Sequence, residues 1–169
     1  IEAFTIDRCS KSGAKFDYEK ARWFNHQYMQ ELDNSVLAES LLPMIEAKGY
    51  QTTPGFVEAI LAHIKERMVF PQDFWAQAAY FFVAPDQYDA KTVAKRWKPE
   101  SAAQLTELGD LLERISDYSD AGAIESEVKA WIEQKSYSIG LIMNAFRLAL
   151  VGEGKGPGVF DIVSLLGKE

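Results

Sequence analysis

The chain has 169 residues, of which 47% are hydrophobic, with a formal net charge of −7 at pH 7 and a single cysteine. This size and composition suffice for one large domain, or two small packed domains, with a real hydrophobic core. One cysteine excludes an internal disulfide, no Cys/His set has zinc spacing, and no apolar run is long enough to span a membrane. The acidic balance argues against general nucleic-acid binding, which relies on Lys and Arg.

The N-terminal residues lack the order of a signal peptide, and the scarcity of cysteine suits a reducing cytosol, so we expect a cytoplasmic protein. Because the chain starts at Ile1 without a methionine, we also expect a piece of a longer protein. Residues 1–16 combine alternating apolar positions with a polar, glycine-containing loop. Asp17 is a good N-cap for a helix that runs to about Leu32. Its aromatic stripe is predicted to be core: Trp23, Phe24 and Tyr28.

Two more helices follow in the next part of the sequence. One starts at Asn34-Ser35 and stops at Gly49, and Pro43 inside it should bend it or end its first half. The other is announced by Thr53-Pro54, an N-cap followed by a proline in the first turn, and ends in Lys65-Glu66-Arg67. Two interpretations of Arg67 stay open: its planar guanidinium recognises a base edge, or it is a solvated cation favoured by the helix C-terminus.

A strongly apolar segment from Pro71 to Phe82 predicts a helix that is buried between two layers and forms a hinge between subdomains. After a turn at residues 84–87, residues 89–97 form a predicted short helix with a basic face. The cations of this local positive cluster are Lys91, Lys95, Arg96 and Lys98. Two interpretations have about equal weight: the face contacts phosphate, or it is simply solvated.

The remaining sequence predicts four further helices. Leucines at spacings of three and four follow Pro99-Glu100, and Asp120 caps the next amphipathic helix. An apolar helix then carries Arg147 towards a glycine stop. A loop containing Lys155 follows, and Pro157 is predicted at the favoured first position of the last helix. An arginine beside a glycine- and lysine-containing loop suits a nucleic acid, because a guanidinium can stack or make paired hydrogen bonds.

Two segments carry a resemblance to a known family. Residues 143–161 read MNAFRLALVGEGKGPGVFD, and residues 10–25 read SKSGAKFDYEKARWFN. The first resembles the C-terminal, anticodon-binding end of bacterial glutamyl-tRNA synthetases, and the second is similar to the segment that follows their catalytic core. Both occur in the family's order and together span nearly the whole chain, whereas residues 35–135 match only by helical pattern.

The resemblance implies an all-α, multihelical anticodon-binding domain of the α-helix cage type, built of two packed helical subdomains. Residues 1–33 would be the tail of the preceding stem-contact region, residues 34–84 the first subdomain and residues 85–169 the second. The partners implied are glutamate tRNA and an N-terminal catalytic domain outside this chain, which would hold ATP and Mg²⁺. We therefore expect no cofactor here, no membrane, and a monomer. Ser10-Lys11-Ser12 is interpreted as a connecting loop without ATP function.

The resemblance also implies roles for particular residues. Arg147 would stack on or hydrogen-bond an anticodon base, and Arg67 would recognise the third base, which favours an enzyme that rejects glutamine tRNA. The other implied residues are Gly156, Pro157 and Val159 for the first-base pocket, and Lys20, Arg22 and Lys155 for the tRNA backbone. Val151 stands where a threonine is commoner in the family, and Gly156 where a polar residue often sits.

Residue patterns for catalysis are missing from the sequence. It contains no nucleotide-binding glycine loop, no Ser/His/Asp order and no metal-ligand set, so we expect binding rather than catalysis, and we interpret His26 and His63 as structural. The alternative is a non-catalytic helical protein-interaction module, in which Arg147 and the Gly-Pro-Gly loop are only helix caps and the acidic faces meet a basic partner. Salt-sensitive RNA binding that depends on the anticodon separates the two.

Overall fold

The computed structural model describes residues 15–168, and over that range its regular structure is helical. The all-α prediction is therefore confirmed. The α-helices are α1 (Tyr18–Glu31), α2 (Asn34–Glu46), α3 (Pro54–Ile64), α4 (Asp73–Ala78), α5 (Ala90–Arg96), α6 (Ser101–Arg114), α7 (Ala121–Gln134), α8 (Ile139–Val151) and α9 (Val159–Leu166). Short 3-10 turns follow α3 at Lys65–Arg67 and α4 at Ala79–Phe81. The Ser10-Lys11-Ser12 segment lies outside the described residues.

Helix starts follow the capping residues in the sequence. The Asp17 carboxylate accepts a hydrogen bond from the Lys20 backbone N–H at 3.0 Å and begins α1. Thr53 and Asp120 cap α3 and α7 in the same way. These side chains satisfy backbone donors that the first turn of a helix leaves without an intrahelical partner, so the predicted starts are confirmed. At the other end, Gly152 stops α8 with φ +79, a conformation that glycine adopts without a steric penalty.

Two hydrophobic cores hold the helices together. The first is built mainly by α2, α3 and α4, whose fully buried side chains include Leu41, Ile45, Ile60 and Phe74. The second is built by α6, α7, α8 and α9, with Leu108, Val128 and Ile142 at its centre. Each large apolar side chain taken fully out of water contributes about 1.5–3 kcal/mol. The predicted subdomain limits at residues 34, 84 and 85 stay a prediction.

Helix α9 belongs to both cores. Its Ile162 is fully buried in the first core, whereas Val159, Phe160 and Val163 pack in the second. An eight-residue helix can do this because nearly all its residues are apolar, so more than one face can be buried. Residues distant in sequence thus meet through α9, and its packing in both cores anchors the end of the loop that precedes it.

The aromatic stripe of α1 is exposed, so its predicted burial is wrong. Trp23 is 57% exposed and Tyr28 is 65% exposed, and Phe24 is also exposed. The helix buries a different face: Met29 enters the first core, and the His26 ring lies 2.9 Å from the Met68 carbonyl oxygen. Helical spacing fixes which residues share a face, but the covering element decides which face is buried, and no described residue covers this one.

Three predicted features of the helices differ in detail. Pro43 does not end α2, which continues to Glu46 at the expense of one backbone hydrogen bond. The segment after Pro71 is not one continuous helix but a six-residue helix and a 3-10 turn, although Phe74, Ala78 and Phe81 are buried as expected. Pro157 is not the first residue of α9, because Gly158 is its N-cap and Val159 its first helical residue.

The described part of the chain contains neither a membrane-spanning helix nor a cluster of metal ligands. None of the helices between residues 15 and 168 is long and apolar enough to cross a membrane. Over the same residues, no group of three or more His, Cys, Asp or Glu side chains is arranged to hold a metal ion.

Candidate nucleic-acid interface

A cleft of about 590 Å³ opens between the segment around α4 and the loop that joins α8 to α9. Its volume lies within the usual range of ligand-binding clefts. One wall comes from the 3-10 turn after α3, from α4 and from the residues just after it, and the other from the end of α8 and the loop. The lining residues are Arg67, Ala76, Gln77, Tyr80, Val151, Glu153, Lys155 and Gly156. Two of the predicted site residues and Lys155 thus share one cleft.

Arg147 lies beside this cleft with its guanidinium half-buried. It is placed near the end of α8, and its Nη1 donates a hydrogen bond to the Pro157 carbonyl oxygen at 2.6 Å. Burial lowers the pKa of Arg147 below its ordinary value, and the nearby Arg67 cation lowers it further. Both effects make this cation costly to hold without an acceptor. The guanidinium is therefore positioned by the loop before any ligand arrives.

Arg67 reaches the same loop from the opposite side. It ends the 3-10 turn after α3, is exposed, and donates from Nη2 to the Gly156 carbonyl oxygen at 2.8 Å. Two consecutive loop carbonyls, those of Gly156 and Pro157, therefore each hold one arginine. A guanidinium carries five N–H donors, so one hydrogen bond to the loop leaves donors for a ligand.

Gly156 leaves room for this arrangement. Its φ of +155 is a conformation that L side chains rarely adopt, and a Cβ atom built there would lie 3.1 Å from the Arg147 Nη1 atom. Any larger residue would press on the guanidinium. A residue with a side chain would be strained in this backbone conformation, and the guanidinium would have to shift by a few tenths of an ångström.

Tyr80 is a site residue that the sequence did not reveal. Its hydroxyl is buried and has no hydrogen-bond partner among residues 15–168. Burial raises the pKa of Tyr80 from 10.0 to about 12, although the Arg67 and Arg147 cations both lower it. A neutral phenol thus lies close to both arginines. The sequence does contain an indication of this site: a tyrosine lies within a mostly apolar run, and a buried phenol normally needs a hydrogen-bond partner.

The other predicted residues are spread more widely. Val159 is buried in the second core and Pro157 is a buried residue of the loop, and neither side chain lines the cleft. Lys155 is exposed at the mouth of the cleft. Lys20 and Arg22 lie on α1, where Arg22 stands 5.7 Å from the centre of the Phe70 ring. Neither residue of α1 lines this cleft.

A family model described as an anticodon binding domain matches residues 36–169. Among curated relatives, the glutamate–tRNA ligase of Parabacteroides distasonis is 53% identical over 169 residues, which is all of this chain and 33% of the relative. The enzyme of the same name from Porphyromonas gingivalis (strain ATCC BAA-308 / W83) is 52% identical with the same coverage. The chain spans about a third of the length of these relatives.

Solved structures agree with this result. A crystal structure of a glutamate tRNA ligase from Elizabethkingia meningosepticum, in complex with its amino acid, superposes with a TM-score of 0.86 at 32% identity. A glutamate-tRNA synthetase from Elizabethkingia anophelis gives a TM-score of 0.82 at 31% identity. Each match covers 98% of this chain and 32% of the other chain. The alternative of a helical protein-interaction module is not favoured by these matches.

Proposed function

Because this chain belongs to the anticodon-binding domain family, we propose that it binds the anticodon loop of glutamate tRNA as part of a longer glutamate–tRNA ligase. The activity of the whole enzyme, the ATP-dependent attachment of glutamate to tRNA, belongs in this proposal to a catalytic domain outside the chain. ATP and Mg²⁺ are assigned to that domain too. The chain contributes recognition and acts in the cytoplasm as part of a monomer.

The observation that carries the proposal is the pair of arginines held by one loop. Arg67 and Arg147 come from different parts of the fold, yet they donate to neighbouring carbonyls. Anticodon bases that are unstacked in a loop expose their faces and their hydrogen-bonding edges. A planar guanidinium with spare donors can recognise an edge that carries acceptors, or stack on a face. Two such groups beside one cleft match two nearby bases.

Arg67 is assigned to the third anticodon base and Arg147 to another base of the anticodon. Cytosine, the third base in glutamate tRNA, presents two adjacent acceptors on its pairing edge, whereas guanine in glutamine tRNA presents donors there. A guanidinium has only N–H donors, so it can donate hydrogen bonds to the two acceptors of cytosine, whereas on the pairing edge of guanine it would face other donors. Gly156 and Pro157 supply the backbone beside Arg147, and Val159 anchors the end of the loop in the second core.

The test is binding of this chain to glutamate tRNA, and to the same tRNA with its third anticodon base changed from C to G, at low salt. We expect the change to weaken binding by about 1–3 kcal/mol, which is roughly 5- to 150-fold. Arg67→Ala should bind both RNAs equally. Arg147→Ala should bind both more weakly than the parent while it still prefers cytosine.

Arg114→Ala provides the matched control, because Arg114 is also exposed in the last turn of a helix but lies away from the cleft. It should keep the preference of the parent. Equal affinity of the parent for both RNAs would remove Arg67 from the site. No binding at low salt would overturn the proposal, and Arg147→Ala binding as tightly as the parent would overturn its role.

A further inference from the structure

A second cleft, of about 470 Å³, lies next to the first one. It is formed by α5 and by the loop between α8 and α9, and it shares Glu153 and Lys155 with the first cleft. Its cations are all exposed: Lys91, Lys95, Arg96 and Lys155. The basic face of α5 therefore points towards the loop that holds the two arginines. We call this second cleft the α5 groove.

The cations of the α5 groove form no ion pair with any residue between 15 and 168. The ion pairs of the described residues that involve lysine are Lys129–Glu125 at 2.6 Å and Lys135–Glu107 at 2.8 Å, and neither involves the groove. The chain carries 25 acidic residues against 18 basic ones. Four cations that lack ion-pair partners in the described part of the chain thus form a local positive surface on a protein whose overall charge is negative.

The two carboxylates of the groove do not cancel this charge. Asp89 is the N-cap of α5 and accepts a hydrogen bond from the Thr92 backbone N–H at 2.7 Å. The Thr92 hydroxyl donates to the same carboxylate, and this bond, together with the backbone bond, holds the carboxylate at the helix start and lowers the pKa of Asp89. Glu153 remains exposed at the boundary of the two clefts. The groove thus keeps more cations than carboxylates.

The groove is formed without a ligand because its two sides are fastened together. The Asp89 backbone N–H donates to the Gly152 carbonyl oxygen at 2.9 Å, which ties the start of α5 to the end of α8. A Cβ atom at Gly154 would lie only 3.1 Å from the Thr92 hydroxyl, so the loop backbone passes directly over α5. The backbone positions of the four cations relative to the first cleft are therefore fixed by the fold.

We propose that the α5 groove binds the sugar–phosphate backbone of the same RNA strand whose bases enter the adjoining cleft. The inference rests on the proposed function and extends it to a second surface. Lys and Arg neutralise phosphates independently of sequence, and such contacts set the register of a nucleic acid on a protein. Of the two interpretations left open for the basic face of α5, the structure favours phosphate contact, because that face adjoins the first cleft, beside which both arginines lie.

The test is the salt dependence of RNA binding by this chain with Lys91→Gln and Lys95→Gln combined. Each phosphate contact that is lost should reduce the slope of log affinity against log salt by about 0.7 for single-stranded nucleic acid, so a drop of about 1.4 is expected. The preference for C over G at the third anticodon base should not change, because backbone contacts carry no sequence information.

The matched control combines Lys129→Gln and Lys135→Gln, which alters the net charge equally on another surface. It should keep the parental salt slope. All four lysines are exposed, and the two surface ion pairs that the control removes contribute little to stability. Both double variants should therefore unfold close to the parental urea midpoint, which separates a folding defect from lost contacts. If the parent prefers cytosine and both double variants keep the parental salt slope, only the proposal of the α5 groove is overturned. If the parent shows no base preference and the groove variant lowers the salt slope, the proposed base contacts are overturned and the groove proposal stands. No binding at low salt would overturn both.

Discussion

Gly152 follows the last residue of α8 and packs against the segment before α5. Its replacement by alanine gives a sharp test of the loop geometry. Its φ is +79, and a Cβ atom built there would lie 2.7 Å from the Gln87 carbonyl oxygen and 3.1 Å from the Pro85 Cβ atom. Real Cβ atoms essentially never approach another heavy atom within 3.0 Å. Because the nearest atom belongs to the backbone, a segment of main chain must move.

Gly49 provides the matched comparison. Its φ is +90, similar to that of Gly152, but a Cβ atom there would meet nothing within 4 Å. Alanine in the left-handed region costs about 1 kcal/mol, which is all we expect from Gly49→Ala. Gly152→Ala adds a clash of the overpacking kind, worth about 1–3 kcal/mol. The predicted loss of stability is therefore about 2–4 kcal/mol for Gly152→Ala.

Urea unfolding, followed by circular dichroism and by tryptophan fluorescence, measures both values. The same movement should disturb the hydrogen bond from Asp89 to the Gly152 carbonyl, so Gly152→Ala should also weaken RNA binding while Gly49→Ala leaves it unchanged. If the two variants lose equal stability, the close approach of Gly152 to residues 85–87 plays no part in holding the loop. The loop would then not be held in place by this contact, and neither the α5 groove nor the first cleft would have a fixed shape before RNA binds.

Two further predictions concern single side chains. Burial raises the pKa of Tyr80 from its ordinary value of 10.0 to about 12 in the folded protein, so its contribution to stability is fully present below about pH 10 and is lost as the pH rises towards 12. Tyr80→Phe should make the free energy of unfolding in urea less dependent on pH over this range. An unchanged pH dependence would contradict the burial of the phenol. Thr53 accepts the Phe56 N–H at 3.2 Å, so Thr53→Ala should cost about 1 kcal/mol. Thr106→Ala, at an exposed mid-helix position, should cost much less, and equal losses would argue against the cap.

The helices were predictable because their signals are local. Asp17, Thr53 and Asp120 cap helices that begin where the sequence indicated, and a glycine ends α8 at the predicted residue. A cap is satisfied by backbone N–H groups two or three residues away, so nothing distant can override it easily. The residues that form these starts and stops are therefore visible in any short window of the chain.

Burial was less predictable because it depends on distant partners. Trp23 and Tyr28 share a helical face with the spacing of a core, yet that face is exposed. The break after α4 has a similar origin, since Phe81 reaches the first core from a 3-10 turn rather than from a continuing helix. Neither outcome can be deduced from periodicity, because periodicity shows which face of a helix is most apolar but not where the neighbouring elements lie.

The candidate site was partly predictable. Arg67 and Arg147 were singled out one by one, from helix ends and from a family resemblance, but their meeting at one loop is a long-range contact. Tyr80 was missed because an apolar run was interpreted as core, although its hydroxyl lies close to both arginines. The α5 groove depends on the passage of residues 152–155 over α5, which local sequence does not indicate.

The double membership of α9 has a consequence for biosynthesis. A ribosome releases α2, α3 and α4 long before Ile162, yet Ile162 is fully buried among their side chains. Early folding of the first half therefore leaves an apolar gap on the nascent chain, open to chaperones and to wrong contacts, until residues 159–166 emerge. The two halves reach final packing together, and the loop that carries the Gly156 and Pro157 carbonyls takes its shape in that last step.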